Sequence, residues 1–187
     1  MILLSACGGS DGGNGDADRD PLVSSETSSD AVPTKTSVCE DKTGDGGPMD
    51  LVSISIRTGD DVVVTAVLAA PIPRNDTVDV VVLVQSRDWD TIRLLVGKWV
   101  GGRAAEQYVE QYVDNSDAEE KLNLPASGLQ VDGKTLTMTF PASTVDDLGD
   151  GWTWGASTGA ESRYTDASGT DVDACPGPPG GMKRQPF

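Results

Sequence analysis

The chain has no histidine, and this absence limits its chemistry more than any other feature of its 187 residues. Histidine is the commonest general base, the usual ligand of zinc and haem, and the side chain that changes charge near neutral pH. Most familiar hydrolase mechanisms depend on one of these roles. The sequence therefore does not favour an enzyme.

Basic residues are also scarce. Fourteen lysines and arginines face thirty aspartates and glutamates, which gives a formal net charge of -16. Such a charge repels nucleic acid and anionic lipid head groups, so neither is expected as a partner. With 37% hydrophobic residues, a chain of this length can bury one core of respectable size. We therefore expect a single folded domain.

Only three cysteines are present, and the first lies close to the start of the chain. Leu4-Ser5-Ala6-Cys7 resembles the lipobox of bacterial lipoproteins, in which the signal peptide is removed before a cysteine that carries lipid. The resemblance implies that residues 1–7 are the remnant of a lipoprotein signal peptide and its lipobox. It implies export, lipidation of Cys7, and anchoring at the outer face of the bacterial membrane or the cell surface. Because the apolar stretch Met1-Ile2-Leu3 is short for a signal peptide, we expect the true start upstream. The alternative is an incidental thiol.

A polar segment follows this cysteine. Residues 8–37 are rich in glycine, serine and aspartate, and their few apolar residues have no helical or strand period. Such a composition predicts a disordered tether, which would span roughly 30 Å on average as a flexible coil. Residues 177–187 are predicted to form a second disordered segment.

Cys39 and Cys175 remain as a pair if Cys7 carries lipid. They bracket the region whose pattern is globular, and export favours a disulfide between them. Closing a loop of this length contributes about 4 to 5 kcal/mol on the chain-entropy model. We expect their Cα atoms to lie roughly 5 to 6 Å apart. The alternative is two separate thiols.

Between these cysteines the pattern is that of β-strands. Alternating or continuous apolar runs separated by glycine, proline and aspartate predict an antiparallel β-sandwich over residues 38–176, jelly-roll-like, with about eight to nine strands. The clearest candidates are residues 51–56, 61–69, 78–86, 91–100, 106–113, 128–131, 134–140 and 152–158. Residues 106–113 also suit a helix, but alternation favours a strand. One short helical turn is expected near residues 143–148.

Several stretches resemble DOMON-like and family-9 carbohydrate-binding-module-like sandwiches of exported bacterial proteins. They are "MDLVSISI", "APIP", "GLQVDGKTLTMTFPASTVDDLGDGWTWGAST" and "DVDACP", within residues 39 to about 176. The resemblance implies a non-catalytic binding module, for sugars in some members and haem in others. Without histidine, a usual axial ligand of haem is missing, and only the four methionines remain.

The four tryptophans are the candidate sugar-binding residues, because an indole ring offers a broad apolar face. Trp152 and Trp154 are two residues apart and therefore share one face of a strand. Trp89 and Trp99 extend the candidate set. The alternative is that these rings belong to the core.

Two acidic loops make calcium the candidate cofactor, because calcium binds several carboxylate and carbonyl oxygens. The first loop offers Asp41, Asp45 and Asp50, and the second offers Asp171 and Asp173. A disulfide between Cys39 and Cys175 would make the loops neighbours, and a cation would relieve their repulsion. The alternative is a solvated acidic surface.

Two function classes therefore remain. One is a tethered binding module for carbohydrate, and the other is an accessory or structural envelope lipoprotein that acts through a protein partner. Asp88 and Asp90 could in principle form a glycosidase pair, but close aspartates are common in so acidic a chain. We therefore assign no catalytic residue.

Overall fold

The computed structural model describes residues 33–44, 49–113, 120–159, 172–177 and 183–187. These residues form twelve strands in two antiparallel sheets, and Val32–Phe187 form one compact unit. The predicted all-β sandwich is therefore confirmed. The prediction of eight to nine strands was too low for the described part of the chain.

The first sheet has the strand order β1-β2-β3-β9-β8. Its β1–β3 meander lies beside the β8–β9 hairpin because β3 pairs with β9. The strands are β1 (Lys35–Glu40), β2 (Leu51–Thr58), β3 (Asp61–Leu68), β8 (Leu129–Asp132) and β9 (Thr135–Pro141).

The second sheet has the order β11-β10-β4-β5-β6-β7, and β12 extends its edge by pairing with β10. A four-strand meander makes up most of it. The strands are β4 (Thr77–Gln85), β5 (Thr91–Val100), β6 (Arg103–Val113), β7 (Glu120–Leu124), β10 (Thr153–Gly159), β11 (Val172–Cys175) and β12 (Gln185–Pro186). Residues 106–113 thus lie in a strand, as alternation predicts.

The core lies between the two sheets. Alternate residues of β2 and β3 are buried, as a half-buried strand requires, and the largest fully buried side chains are Trp99, Trp154 and Phe140. Gly97 makes room for them. A Cβ atom built on Gly97 would lie 2.5 Å from Sδ of Met138, so even alanine would force the core to shift.

The central strand β4 is buried on both faces. Its even-numbered valines face the core between the sheets, whereas Val81 and Leu83 join Leu94 and Val96 in a second apolar cluster on the other face. This arrangement explains why the sequence of β4 is nearly continuous in apolar residues rather than alternating.

The predicted helical turn is present as two consecutive 3-10 turns, Ala142–Thr144 and Asp146–Leu148. Gly149 ends the second turn with φ +69°, a conformation that glycine adopts without steric cost.

Both ends of the domain extend beyond the predicted bounds of residues 38–176. Lys35–Ser37 were assigned to the tether, but they pair with β2. The described part of the chain begins two residues earlier, at residue 33. Residues 183–187 were assigned to a disordered tail, yet β12 pairs with β10 and the Phe187 ring stacks on Trp152 with 4.1 Å between centroids. These two assignments were wrong because short strands with polar or proline residues have weak sequence signals.

A candidate ligand-binding cleft at the β4–β5 turn

The hairpin turn between β4 and β5 consists of residues Ser86–Asp90 and is held by its own hydrogen bonds. The backbone N–H of Ser86 donates to the carbonyl of Thr91 at 3.0 Å, and that of Trp89 donates to the carbonyl of Ser86 at 3.2 Å. The Thr91 N–H donates to Oγ of Ser86 at 3.1 Å. The turn is therefore a fixed structure that presents its side chains in set directions.

Trp89 has a left-handed backbone, with φ +72°, and is the only non-glycine residue with positive φ in the described part of the chain. Hairpin loops commonly place glycine at such a position, because any Cβ raises the energy there, typically by 1–3 kcal/mol for a bulky residue. Trp89 is nevertheless 58% exposed. Neither burial nor backbone preference accounts for a tryptophan here.

A second unfavourable feature lies next to this turn. Gln85, the last residue of β4, is fully buried, and neither atom of its side-chain amide has a hydrogen-bond partner in the described part of the chain. Leaving a buried polar group unpaired costs about 1 to 3 kcal/mol. Such local costs cluster at functional sites.

The Trp89 cleft is a cavity of about 440 Å³ beside this ring. It lies where the hairpin turn meets the start of β10 and the C-terminal segment. Its lining residues are Ser86, Arg87, Trp89, Gly151, Thr153, Lys183 and Arg184. The guanidinium carbon of Arg184 lies 4.6 Å from the centroid of the Trp89 ring, within the range of a cation–π contact.

Hydrogen bonds fix the C-terminal segment on both sides of Arg184. Beyond Arg184, the Gln185 amide donates to the carbonyl of Val38, and the Phe187 N–H donates to the carbonyl of Trp152. Before it, the Lys183 N–H donates to the carbonyl of Pro176 at 2.6 Å. These contacts hold Lys183 and Arg184 in place.

The cleft is cationic in a strongly acidic chain. Arg87, Lys183 and Arg184 line it, and no carboxylate is found among its described lining residues. A neighbouring cleft of about 740 Å³ shares Ser86 and Arg87 with it but is acidic, because the carboxylates of Asp88, Asp90, Asp147 and Asp150 line it.

Asp88 and Asp90, which were considered as a glycosidase pair, both lie in the turn between β4 and β5. A hydrogen bond with Ser86 is the main cause that lowers the pKa of Asp88, and the Asp90 N–H reaches Oδ1 of Asp88 at 3.5 Å. Their carboxylates help to shape the turn.

Arg93 connects the acidic cleft to the interior. Its buried guanidinium donates to both carboxylate oxygens of Asp147, to the carbonyl of Thr144 and to Oε1 of Gln111. The hydrogen bonds from Arg93 lower the pKa of Asp147. This network fastens the two 3-10 turns to the second sheet.

Three of the four tryptophans predicted as a stacking platform are buried. Trp152 is 5% exposed, and Trp154 and Trp99 are fully buried. Trp154 donates from Nε1 to Oγ of Ser37 at 2.9 Å, and Phe187 stacks on Trp152. The platform prediction is wrong for these residues because Trp99 in β5, Trp154 in β10 and Trp152 just before β10 face inward from the second sheet and fill the core. Only Trp89 is accessible.

Of the described residues in the two acidic loops, Asp173 binds the backbone of Leu51, the residue after Asp50, and the carboxylates of both aspartates bind backbone. Both carboxylate oxygens of Asp50 accept from the backbone N–H of Gly44. The Asp173 carboxylate accepts from the backbone N–H groups of Leu51 and Ala174. Asp41 is part-exposed, and Asp45 and Asp171 lie outside the described residues. No group of three or more metal-binding side chains is found among the residues that the structure describes.

The predicted disulfide is present. Cys39 and Cys175 are joined with their Cα atoms 6.0 Å apart, at the upper end of the expected 5 to 6 Å. Both cysteines are buried in the core. Cys7 and the lipobox lie outside the described residues, as does most of the predicted tether.

Comparison of the chain with protein-family models, curated proteins and solved structures finds no match. Within the described residues, no helix has the length and apolar composition of a membrane span.

Sequence patterns did not predict the cationic lining of the cleft. Arg87 stands alone in its turn, and Lys183 and Arg184 lie about a hundred residues away, so no spacing links them. One signal was available: in "SRDWD", a tryptophan occupies a polar turn between two apolar runs. A core tryptophan would instead lie within a strand.

Proposed function

We propose that this chain is a lipid-anchored protein of the bacterial cell envelope whose β-sandwich is a non-catalytic binding module, with carbohydrate as ligand and the Trp89 cleft as the site. Lipidation at Cys7 and the polar segment after it would attach the module to the membrane. The proposal agrees with the resemblance to DOMON-like and family-9 carbohydrate-binding modules.

One observation carries the proposal: an exposed tryptophan occupies a left-handed backbone position beside a cleft. A sugar ring has an apolar face, which packs against an indole ring, and hydroxyl groups, which need polar partners. Ser86, Thr153 and Arg87 supply such partners in the cleft. The turn and the C-terminal segment fix the site before a ligand arrives, which reduces the entropy lost on binding.

The alternative, a protein partner, has less support. The large hydrophobic side chains that are exposed in the described residues belong to five different elements rather than to one patch: Val38, Trp89, Val100, Leu122 and Val131. A docking surface for a protein partner is typically contiguous.

The test is affinity electrophoresis of the full chain in native gels that contain soluble polysaccharides of neutral and acidic kinds. We expect at least one polysaccharide to retard the protein, and Trp89→Gly to abolish the retardation. The glycine removes the ring and suits the left-handed backbone, so the variant should keep its fold. Val131→Ala, at another exposed apolar residue, is the matched control and should migrate as the wild type does.

Thermal unfolding completes the test. Trp89→Gly should change the free energy of unfolding by less than about 1 kcal/mol, because relief of the backbone offsets the lost Arg184 contact. Equal migration of the wild type and Trp89→Gly in every gel would contradict the proposed function. A large loss of stability in Trp89→Gly would instead assign Trp89 a structural role.

A further inference from the structure

The charges of the Trp89 cleft define the class of its ligand more narrowly than its shape does. Three cationic side chains, Arg87, Lys183 and Arg184, line a cavity of about 440 Å³. The whole chain has fourteen basic residues against thirty acidic ones. Cations are therefore concentrated where the exposed indole ring lies.

The acidic remainder of the molecule does not cancel this local charge. At physiological ionic strength, interactions between exposed charges are screened over about 8 Å. A ligand inside the cleft is therefore governed by the side chains that line it. The carboxylates of Asp88 and Asp90 line the neighbouring acidic cleft and not the Trp89 cleft, although Arg87 lines both.

Arg184 can bind an anion while it contacts Trp89. A guanidinium that stacks on an aromatic ring keeps its N–H donors in its own plane. Those donors match the paired oxygens of a carboxylate or a phosphate. The side-chain amide of Gln185 and the backbone N–H groups of Phe187 and Lys183 hold this segment in place, so the geometry exists without a ligand.

We infer that the ligand of the Trp89 cleft is an anionic glycan, in which a sugar ring packs on Trp89 and a carboxylate or phosphate group binds Arg87, Lys183 and Arg184. This inference rests on the proposed function and names its ligand class. Uronic acids and sugar phosphates share the required chemistry, and the experiment below distinguishes them.

The experiment is isothermal titration calorimetry of the full chain with three oligomers of similar length. They are tetragalacturonate, its fully methyl-esterified neutral form, and a galactose tetramer joined through phosphodiesters. We expect at least one charged oligomer to bind about tenfold more tightly than the neutral ester. That preference should shrink between 50 and 300 mM sodium chloride, because salt screens charges.

Charge-removing variants locate the interaction. Arg87→Gln, Lys183→Gln and Arg184→Gln should each weaken binding of the charged oligomer about two- to fivefold, as expected for exposed ion pairs. They should weaken binding of the neutral ester less than that of the charged oligomer, because only the charged oligomer loses an ion pair. Lys134→Gln removes an exposed cation outside the cleft and is the matched control, with no effect on either oligomer.

The outcomes separate the two proposals. If the neutral ester binds at least as tightly as both charged oligomers, the anionic ligand class is wrong and the binding module stands. If a charged oligomer binds but the three glutamine variants bind it as the wild type does, this inference is also wrong. If the Trp89→Gly variant and the wild type both fail to bind every oligomer and every polysaccharide, the proposed function fails as well.

Discussion

Trp154 and Trp89 lie in two regions that use the same side chain in opposite ways. Trp154 is fully buried between the sheets and donates a hydrogen bond to Ser37. Trp89 projects from the β4–β5 turn, 58% exposed, on a backbone that would favour glycine. In the first region packing explains the residue, whereas in the second neither burial nor backbone preference does.

Because the two regions differ, removal of Trp154 and removal of Trp89 should affect the stability of the fold differently. A core tryptophan contributes to the stability of the fold, so its loss should unfold the domain. A turn tryptophan in an unfavourable backbone position can be lost at little cost to stability. Predictions about stability therefore test whether the two regions really differ.

The largest effect is expected at Trp154. Trp154→Ala should lower the free energy of unfolding by about 3 to 5 kcal/mol, because a large cavity opens in the core. Trp154→Phe fills more of that space and should cost less, even though the hydrogen bond to Ser37 is lost. Urea unfolding measures both, with Trp89→Ala as the comparison. Equal losses at Trp154 and Trp89 would remove the distinction between the two regions.

The next largest effect is expected at the disulfide, which lies in the core and not at the Trp89 turn. The double variant Cys39→Ala/Cys175→Ala should lose about 2 to 5 kcal/mol of stability while it keeps its β-sheet circular dichroism. Cys7→Ala should have no effect on unfolding, and is the control. If reduction of the wild type leaves the melting temperature unchanged, the bridge does not stabilise the domain.

The smallest effect is expected at Asp147, whose carboxylate lies at the border of the acidic cleft and binds buried Arg93. Because the folded state lowers the pKa of Asp147, its contribution is present above the unfolded pKa and is lost as pH falls through the folded pKa. Asp147→Asn should therefore lose about 1 kcal/mol at pH 7, a small value because the carboxylate side chain is 59% exposed.

This difference between the wild type and Asp147→Asn should shrink as the pH falls below the ordinary aspartate pKa of about 4. Melting temperatures from pH 7 to pH 2.5 provide the measurement. Asp132→Asn, at an exposed carboxylate at the end of β8, is the matched control. A constant difference across this pH range would mean that the charge of Asp147 does not matter.

The fold was predictable where patterns are local. Alternation identified β2, β3 and β6, and the apolar run of β4 identified a buried strand. The disulfide followed from counting cysteines. The short edge strands β7 and β12 were missed, because a five-residue strand with two charged residues and a two-residue strand containing proline carry almost no pattern.

The candidate site was predictable only in part. Trp89 was in the candidate set, but the sequence could not separate it from Trp99, Trp152 and Trp154, since burial depends on which face of a sheet is covered. The cations of the cleft come from a turn and from the chain end, which are brought together only when β12 pairs with β10.

The position of the disulfide also determines how the domain would resist mechanical force. A pull on the chain before Lys35 would peel β1 from β2, but only as far as Cys39, which is bonded to Cys175. Four residues would be released, about 14 Å of chain. Further load would pass through the covalent bridge into β11, then β10 and β4, the strand that ends at the Trp89 turn. Beyond that point, tension between the N-terminal side of the domain and the Trp89 turn would run across β11, β10 and β4 rather than through β3 and β9.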